Sequence, residues 1–215
     1  MLHIAFPSFC PICGKLGEVV CPECLRSLAC HAVNFCLVCG VDAPCARHPD
    51  GLSCRSVAKY GGVNRDVVHA MKYRHQHKIA FMMGQIMARA TPRPDVDFLV
   101  PVPLHKGSGR EYNQAELIAR GASRLWGIPI KDCLRWRLRV QSQARASDPG
   151  QRFIPEGAMR GVGELEGARI LLVDDVCTTG NTLLAARAAL EAVGADVGGA
   201  MTWSKSSFKV ADFGW

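Results

Sequence analysis

The chain has 215 residues, of which 48% are hydrophobic, and a formal net charge of +7. This length suffices for one α/β core with a small appendage, because domains typically contain about 100–200 residues. No stretch approaches the ~18 consecutive apolar residues of a membrane-spanning helix, and the first residues lack a basic segment followed by a long apolar one. The sequence therefore predicts a cytoplasmic protein without membrane insertion.

The positive charge is distributed unevenly. Residues 1–55 contain four Lys/Arg and four Asp/Glu, so all of the excess lies in residues 56–215. Any polyanionic partner is therefore expected to bind the larger part of the chain.

Nine of the eleven cysteines fall within the first 54 residues, and the lack of an export signal favours metal binding over disulfides. Ligand pairs separated by two residues let a tight turn direct both side chains at one tetrahedral ion. The simplest partition predicts two structural zinc sites, formed by Cys10, Cys13, Cys21 and Cys24 and by Cys36, Cys39, Cys45 and His48. The alternatives are crossed pairing of these ligands, or buried or redox-active thiols without metal.

The remaining chain alternates predicted strands and helices. Hydrophobic periodicity predicts a strand at 55–60, helices at 61–74 and 77–90, a strand at 96–104, a helix at 111–127, a further strand at 128–134, a strand at 170–173, a helix at 183–193 and a last strand at 195–203. This alternation indicates a parallel α/β sheet. Together with the cysteine pattern, it predicts a small domain at 1–55 and a larger one at 56–215.

The segment that follows the strand at 170–173 carries the most informative chemistry. Asp174 and Asp175 are expected just beyond the strand end, where ligands bind in open α/β sheets. A turn of small residues then leads into a helix whose positive end favours phosphate, namely Thr178, Thr179, Gly180, Asn181 and Thr182. Two carboxylates would repel a phosphate but accept hydrogen bonds from sugar hydroxyls, so the pattern predicts a 5-phosphorylated ribose. The alternative is a solvated strand end with Thr179 or Asn181 capping the helix.

VDDVCTTGNT resembles the phosphoribosyl pyrophosphate (PRPP) signature of type I phosphoribosyltransferases. The order CPICG, VCPEC, CLVCG, MKY, VPVPLH, YNQAELIAR and VDDVCTTG is similar to that of the ComF family and spans nearly the whole chain. This resemblance implies a double zinc ribbon before a parallel-sheet, type I phosphoribosyltransferase-like domain. It also implies binding of PRPP with magnesium and a role in DNA uptake during natural competence.

The resemblance assigns roles residue by residue. Asp174 and Asp175 would hold the ribose and act as the catalytic residues, and the five residues from Thr178 to Thr182 would hold the 5-phosphate. The pyrophosphate would meet the stretch 101–105 with Arg110, Asn113 and Gln114, and Lys72 with Tyr73 would cover the site. This chain departs from the family with fewer arginines before Asn113, with Glu111, and in the loop that contains Val140, Gln143 and Arg152.

The resemblance implies one of two functions. The first is a PRPP-binding protein of DNA uptake, with single-stranded DNA and a competence helicase or channel protein as partners. The alternative is an active phosphoribosyltransferase that acts on an unidentified base. Arg135, Arg137 and Arg139 alternate with apolar residues, so in an extended segment they form one basic face, either a nucleic-acid contact or the protective charges of an edge strand.

Overall fold

The computed structural model describes residues 9–28, 32–73, 76–105, 108–137, 154–155 and 157–206. In chain order, the elements are α1 (Pro22–Ser27), β1 (Val33–Cys36), β2 (Ser53–Lys59), α2 (Gly62–Tyr73), α3 (His77–Ala90), β3 (Phe98–Pro101), α4 (Gln114–Trp126), β4 (Leu134–Trp136), β5 (Met159–Gly161), β6 (Arg169–Cys177), α5 (Asn181–Glu191) and β7 (Asp196–Lys205). Among the described residues, no helix combines the length and apolarity needed to cross a membrane.

Five strands form the main sheet, in the order β1-β2-β7-β6-β3. The strands β2, β7, β6 and β3 are parallel, and β1 adds an antiparallel edge. The aliphatic run from Ile170 to Val173 is suited to the centre of such a sheet, because both faces are covered. The predicted α/β class with a parallel sheet and a cysteine-rich N-terminal segment is confirmed.

The two faces of the sheet carry two apolar cores, because successive strand residues point to opposite sides. Val173 and Trp203 lie in the core formed with α2, α3 and α4, and Leu172 and Ala200 lie in the core formed with α5 and β4. Helices α3 and α4 approach closely through glycines. A Cβ atom on Gly84 would lie 1.9 Å from the backbone oxygen of Ile118, so this contact requires glycine.

Several predicted boundaries differ from the structure. The segment 128–134 does not form a full strand; it makes a single bridge, between Ile130 and Leu99, because Pro129 has no N–H to extend a ladder. Strand β4 begins only at Leu134 and pairs with β5 in a separate two-stranded sheet. Helix α5 starts at Asn181, two residues before the predicted start, and ends at Glu191.

The cysteine-rich segment is joined directly to the main sheet. Its strand β1 pairs with β2, and the division predicted at residue 55 falls inside β2. Buried Cys10, Cys21 and Cys24 also belong to the same apolar core as α2 and α3. The cysteine-rich segment is therefore held to the main sheet both by backbone hydrogen bonds and by contacts in the apolar core.

Candidate functional site

The two adjacent carboxylates lie within β6, which corrects the prediction that they fall beyond the strand end. Strand β6 continues through Asp174 and Asp175 to Cys177, because β7 offers paired backbone groups as far as Lys205. Asp175 is buried, with 6% of its surface exposed, and its backbone N–H donates to Oδ1 of Asp174 at 2.7 Å. Burial, and next the negative charge of Asp175, raises the pKa of Asp174 to about 7.

Two cations from other elements converge on Asp175. Lys72, near the end of α2, places its Nζ 2.9 Å from each carboxylate oxygen. Arg110, in the loop before α4, places Nη1 3.9 Å from Oδ2 of Asp175. Sequence reasoning assigned Lys72 only a covering role, and its ion pair with Asp175 emerges from the fold. The MKY motif is the feature of the sequence that points to Lys72 as a site residue.

The wall predicted to meet pyrophosphate is held by a short polar network. Asn113 donates from Nδ2 to the backbone oxygen of Val102 at 3.0 Å, and its Oδ1 accepts from the N–H of Ala115 and so caps α4. Arg110 donates from Nη1 to Oε1 of Gln114 at 3.2 Å. Within the described part of the chain, Nε of Arg110 and Nε2 of Gln114 are buried and unpaired. Two buried donors without acceptors form a site that an anion can complete.

The loop after β6 leads into α5 as predicted. Gly180 precedes the helix with φ of +80°, a left-handed conformation that favours glycine, and no side chain caps the helix there. The residue at the N-cap position is Gly180, and not Thr179 or Asn181. A small cavity at this position is lined by Asp174, Val176, Cys177, Thr178, Gly180, Thr182 and Leu183.

Cys177 lies between the acids and the loop but is not placed as a nucleophile. It is 2% exposed, and its side-chain contact with Cys54, followed by burial, raises the pKa of its thiol well above the ordinary value. A thiol with a raised pKa is protonated at neutral pH and therefore unreactive. The interpretation of Cys177 as a packed thiol agrees with this environment.

The structure brings the predicted metal ligands together in two groups. Cys10, Cys13, Cys21 and Cys24 form one group, and Cys36, Cys39, Cys45 and His48 form the other; the ligand atoms within each group lie within 4.8 Å of one another. Sulfurs bound to tetrahedral zinc at about 2.3 Å lie about 3.7 Å apart. The Sγ atoms of Cys39 and Cys45 are 3.5 Å apart, and Nδ1 of His48 is 3.6 Å from Sγ of Cys45. Both clusters are compatible with structural zinc, and the grouping follows the uncrossed partition.

The basic segment is only partly visible, since Arg139 lies outside the described residues. Arg135 and Arg137 are exposed, and the partly buried Trp136 lies between them. Arg135 donates to both carboxylate oxygens of Asp132, at 2.6 and 2.9 Å, and Trp136 donates from Nε1 to the backbone oxygen of Pro103 at 2.9 Å. The alternation therefore holds for the described part, with Trp136 tied to the chain itself.

Comparison with known families finds a match to the C-terminal part of the chain. Residues 120–212 match the phosphoribosyl transferase domain family, a match that begins within α4, runs past the end of β7 and contains the acid pair and the loop. This part of the chain is therefore similar to a phosphoribosyl transferase domain. None of the curated proteins matches the chain.

Several solved structures share similarity at low identity. The allosteric regulatory enzyme of purine biosynthesis is 20% identical with a TM-score of 0.42, over 60% of this chain and 25% of the other. Glutamine PRPP amidotransferase from B. subtilis is 18% identical with a TM-score of 0.39, over 59% and 26%. Adenine phosphoribosyltransferase from Thermoanaerobacter pseudethanolicus is 14% identical with a TM-score of 0.41, over 86% and 98%. The chain thus spans about a quarter of the length of the first two enzymes.

Proposed function

We propose that the chain binds PRPP across the end of β6, as a ComF-type protein. The observation that carries the proposal is the position of the acid pair between two features that suit anions. On one side lies the Gly180 loop at the start of α5, and on the other lie the unpaired buried donors of Arg110 and Gln114. A single ligand with a phosphate, a diol and a pyrophosphate would match the loop, the acid pair and the two donors, respectively.

Each part of PRPP has a chemical counterpart at the site. The 5-phosphate binds the backbone amides of the first turn of α5, which have no partner within the helix and where the helix dipole adds positive potential. The ribose hydroxyls donate to Asp174 and Asp175, which accept when ionised. The pyrophosphate accepts from Arg110 and Gln114. Lys72 and Arg110 face the carboxylate of Asp175, so they neutralise the pyrophosphate charge only in part. Magnesium bound to the pyrophosphate would supply the remaining positive charge.

A transferase reaction is the alternative use of the same site. When the bond between the anomeric carbon and pyrophosphate breaks, positive charge develops on the ribose ring. The adjacent carboxylates of Asp174 and Asp175 would stabilise that charge, and the donors of Arg110 and Gln114 would stabilise the leaving group. The position of Asp174 beside Asp175 favours this candidate, because the negative charge of Asp175 disfavours ionisation of Asp174 until positive charge develops next to the pair.

A role in DNA uptake rests on the resemblance to the ComF family and on charge. The exposed Arg135 and Arg137 belong to the part of the chain that carries the net positive charge. In this proposal residues 56–215 contact single-stranded DNA, and the cysteine-rich segment contacts a competence helicase or channel protein.

Calorimetry with PRPP and magnesium tests the binding proposal. The variant with Asp174→Asn and Asp175→Asn keeps the shape of the site, and binding should weaken by about 1–3 kcal/mol for each charged hydrogen bond lost. Asp196→Asn, at the exposed start of β7, serves as the matched control and should bind as the wild type does. Equal affinity of wild type and double variant would refute the assignment of the acids.

A pyrophosphate-release assay over a panel of purine and pyrimidine bases separates the two candidate functions. Release with one base establishes the transferase. PRPP binding without release for any base favours the binding protein.

A further inference from the structure

The second metal cluster packs directly against the loop proposed to hold the 5-phosphate. Cys36, Leu37, Val38 and Cys39 form the first turn of this cluster, and Leu37 is buried with 1% of its surface exposed. A Cβ atom on Gly180 would lie 3.0 Å from Cδ2 and 3.1 Å from the backbone oxygen of Leu37. Leu37 therefore occupies the space beside Gly180, in the turn that starts α5.

Two basic side chains fasten the same segment to the elements around the loop. Lys205, the last residue of β7, donates from Nζ to the backbone oxygen of Gly40 at 2.8 Å and lies 3.9 Å from the ring centre of Phe35. Arg187, in α5, donates from Nη1 to the backbone oxygen of Asp50 at 2.8 Å. The cluster segment thus contacts the loop, its following helix and the neighbouring strand.

The cluster ligands determine the shape of this segment. The N–H of Gly40 donates to the backbone oxygen of Cys36 at 2.8 Å, which closes the turn around Leu37. A Cβ on Gly51 would lie 3.2 Å from Sγ of Cys36 and 2.8 Å from Cβ of His48, so Gly51 brings the returning chain against two ligands. Without a metal, four ligand side chains held within 4.8 Å would lose the bonds that keep the turn closed.

The first cluster has a different environment. Its buried cysteines Cys10, Cys21 and Cys24 belong to the core with α2 and α3, whereas Leu37 shares the opposite core with Cys177 and Leu183, which flank the loop. Loss of metal from the first cluster should therefore leave the loop in place.

We infer that the second cluster, through Leu37, is the positioning element of the 178–182 loop, so that metal at Cys36, Cys39, Cys45 and His48 is required for tight binding of a 5-phosphorylated ribose. This inference rests on the proposed PRPP site. It adds that ligand binding depends on metal in a cluster whose residues do not contact the ligand. Leu37 is a positioning residue, because it acts through Gly180 and not through the ligand.

The decisive variant is Leu37→Ala, with Val38→Ala as the control from the same turn, since Val38 is 51% exposed. Both variants keep all eight ligands, so elemental analysis should find the zinc content of the wild type. In Leu37→Ala, amide hydrogen exchange of residues 178–182 should accelerate, and the Kd for ribose 5-phosphate and for PRPP should rise by about tenfold or more. Val38→Ala should change neither quantity.

A second pair of variants distinguishes loss of metal from the second cluster from destabilisation of the whole protein. Cys39→Ser and Cys13→Ser each remove one ligand, one from each cluster. We expect the exchange of residues 178–182 to accelerate and binding to weaken only in Cys39→Ser. Unchanged exchange at this loop in both Leu37→Ala and Cys39→Ser would overturn the inference. If the wild type itself binds no PRPP while the exchange effect is present, the proposed function fails and the structural coupling stands.

Discussion

Asp174→Asn is a direct test of the electrostatic strain at the acid pair. Asparagine keeps the Oδ1 that accepts the N–H of Asp175 at 2.7 Å but cannot ionise. The pKa of Asp174 is raised from 3.8 to about 7, first by burial and then by Asp175. Between these two values the unfolded chain has lost this proton while the folded chain still holds it. The wild type therefore loses stability as pH rises from about 4 to about 7, and the variant does not.

The size of the effect follows from the same values. One pKa unit corresponds to about 1.4 kcal/mol, so a rise of about three units sets an upper limit of about 4 kcal/mol. Asp174 is partly exposed, and solvent screening reduces this, so we expect about 1–3 kcal/mol. About one of the three units is already lost below pH 5, so the free energy of unfolding of the variant, relative to wild type, should increase by about 1–2 kcal/mol between pH 5 and pH 8.

Urea denaturation of both proteins at pH 5, 6, 7 and 8, with zinc present throughout, measures this difference. Titration of the histidines and thiols is common to both proteins and cancels in the comparison. Asp196→Asn is the control, because its side chain is exposed at the start of β7. A difference between Asp174→Asn and wild type that is the same at pH 5 and pH 8 would refute the reasoning.

Three further predictions concern metal, packing and DNA. Elemental analysis should find two zinc ions per chain, and chelation should unfold mainly the cysteine-rich segment that precedes β2; a metal-free protein with that segment intact would contradict this. Gly84→Ala places a Cβ against the backbone of α4 and should destabilise by about 1–3 kcal/mol in urea denaturation, whereas Gly198→Ala, with no atom within 4 Å of its Cβ, should not. Replacement of Arg135, Arg137 and Arg139 by Gln should flatten the salt dependence of single-stranded DNA binding by about 2 in slope, measured by fluorescence anisotropy. An unchanged slope would assign these arginines to protection of a strand edge.

Features that depend on local order along the chain could be predicted from the sequence. The helix at 77–90 has its predicted bounds, because its apolar residues recur at helical spacing and no proline interrupts them. Gly127 ends α4 in the left-handed conformation that the closing glycine indicates. The two metal clusters follow from ligand spacing, since each pair of ligands is close in sequence and needs only a turn to meet.

Features that depend on residues distant in sequence were decided by the tertiary structure. Lys72 and Asp175 are 103 residues apart, and only the packing of α2 against the sheet makes them an ion pair. Strand β6 extends past the acids because β7 pairs with it, and neither strand alone carries that information. Leu37 reads locally as one apolar residue of a metal-binding turn, and its contact with Gly180 exists only because the cluster folds against the loop. Spacing specifies which side chains can share an ion, whereas the burial and charge around the acid pair arise only when separate elements pack together.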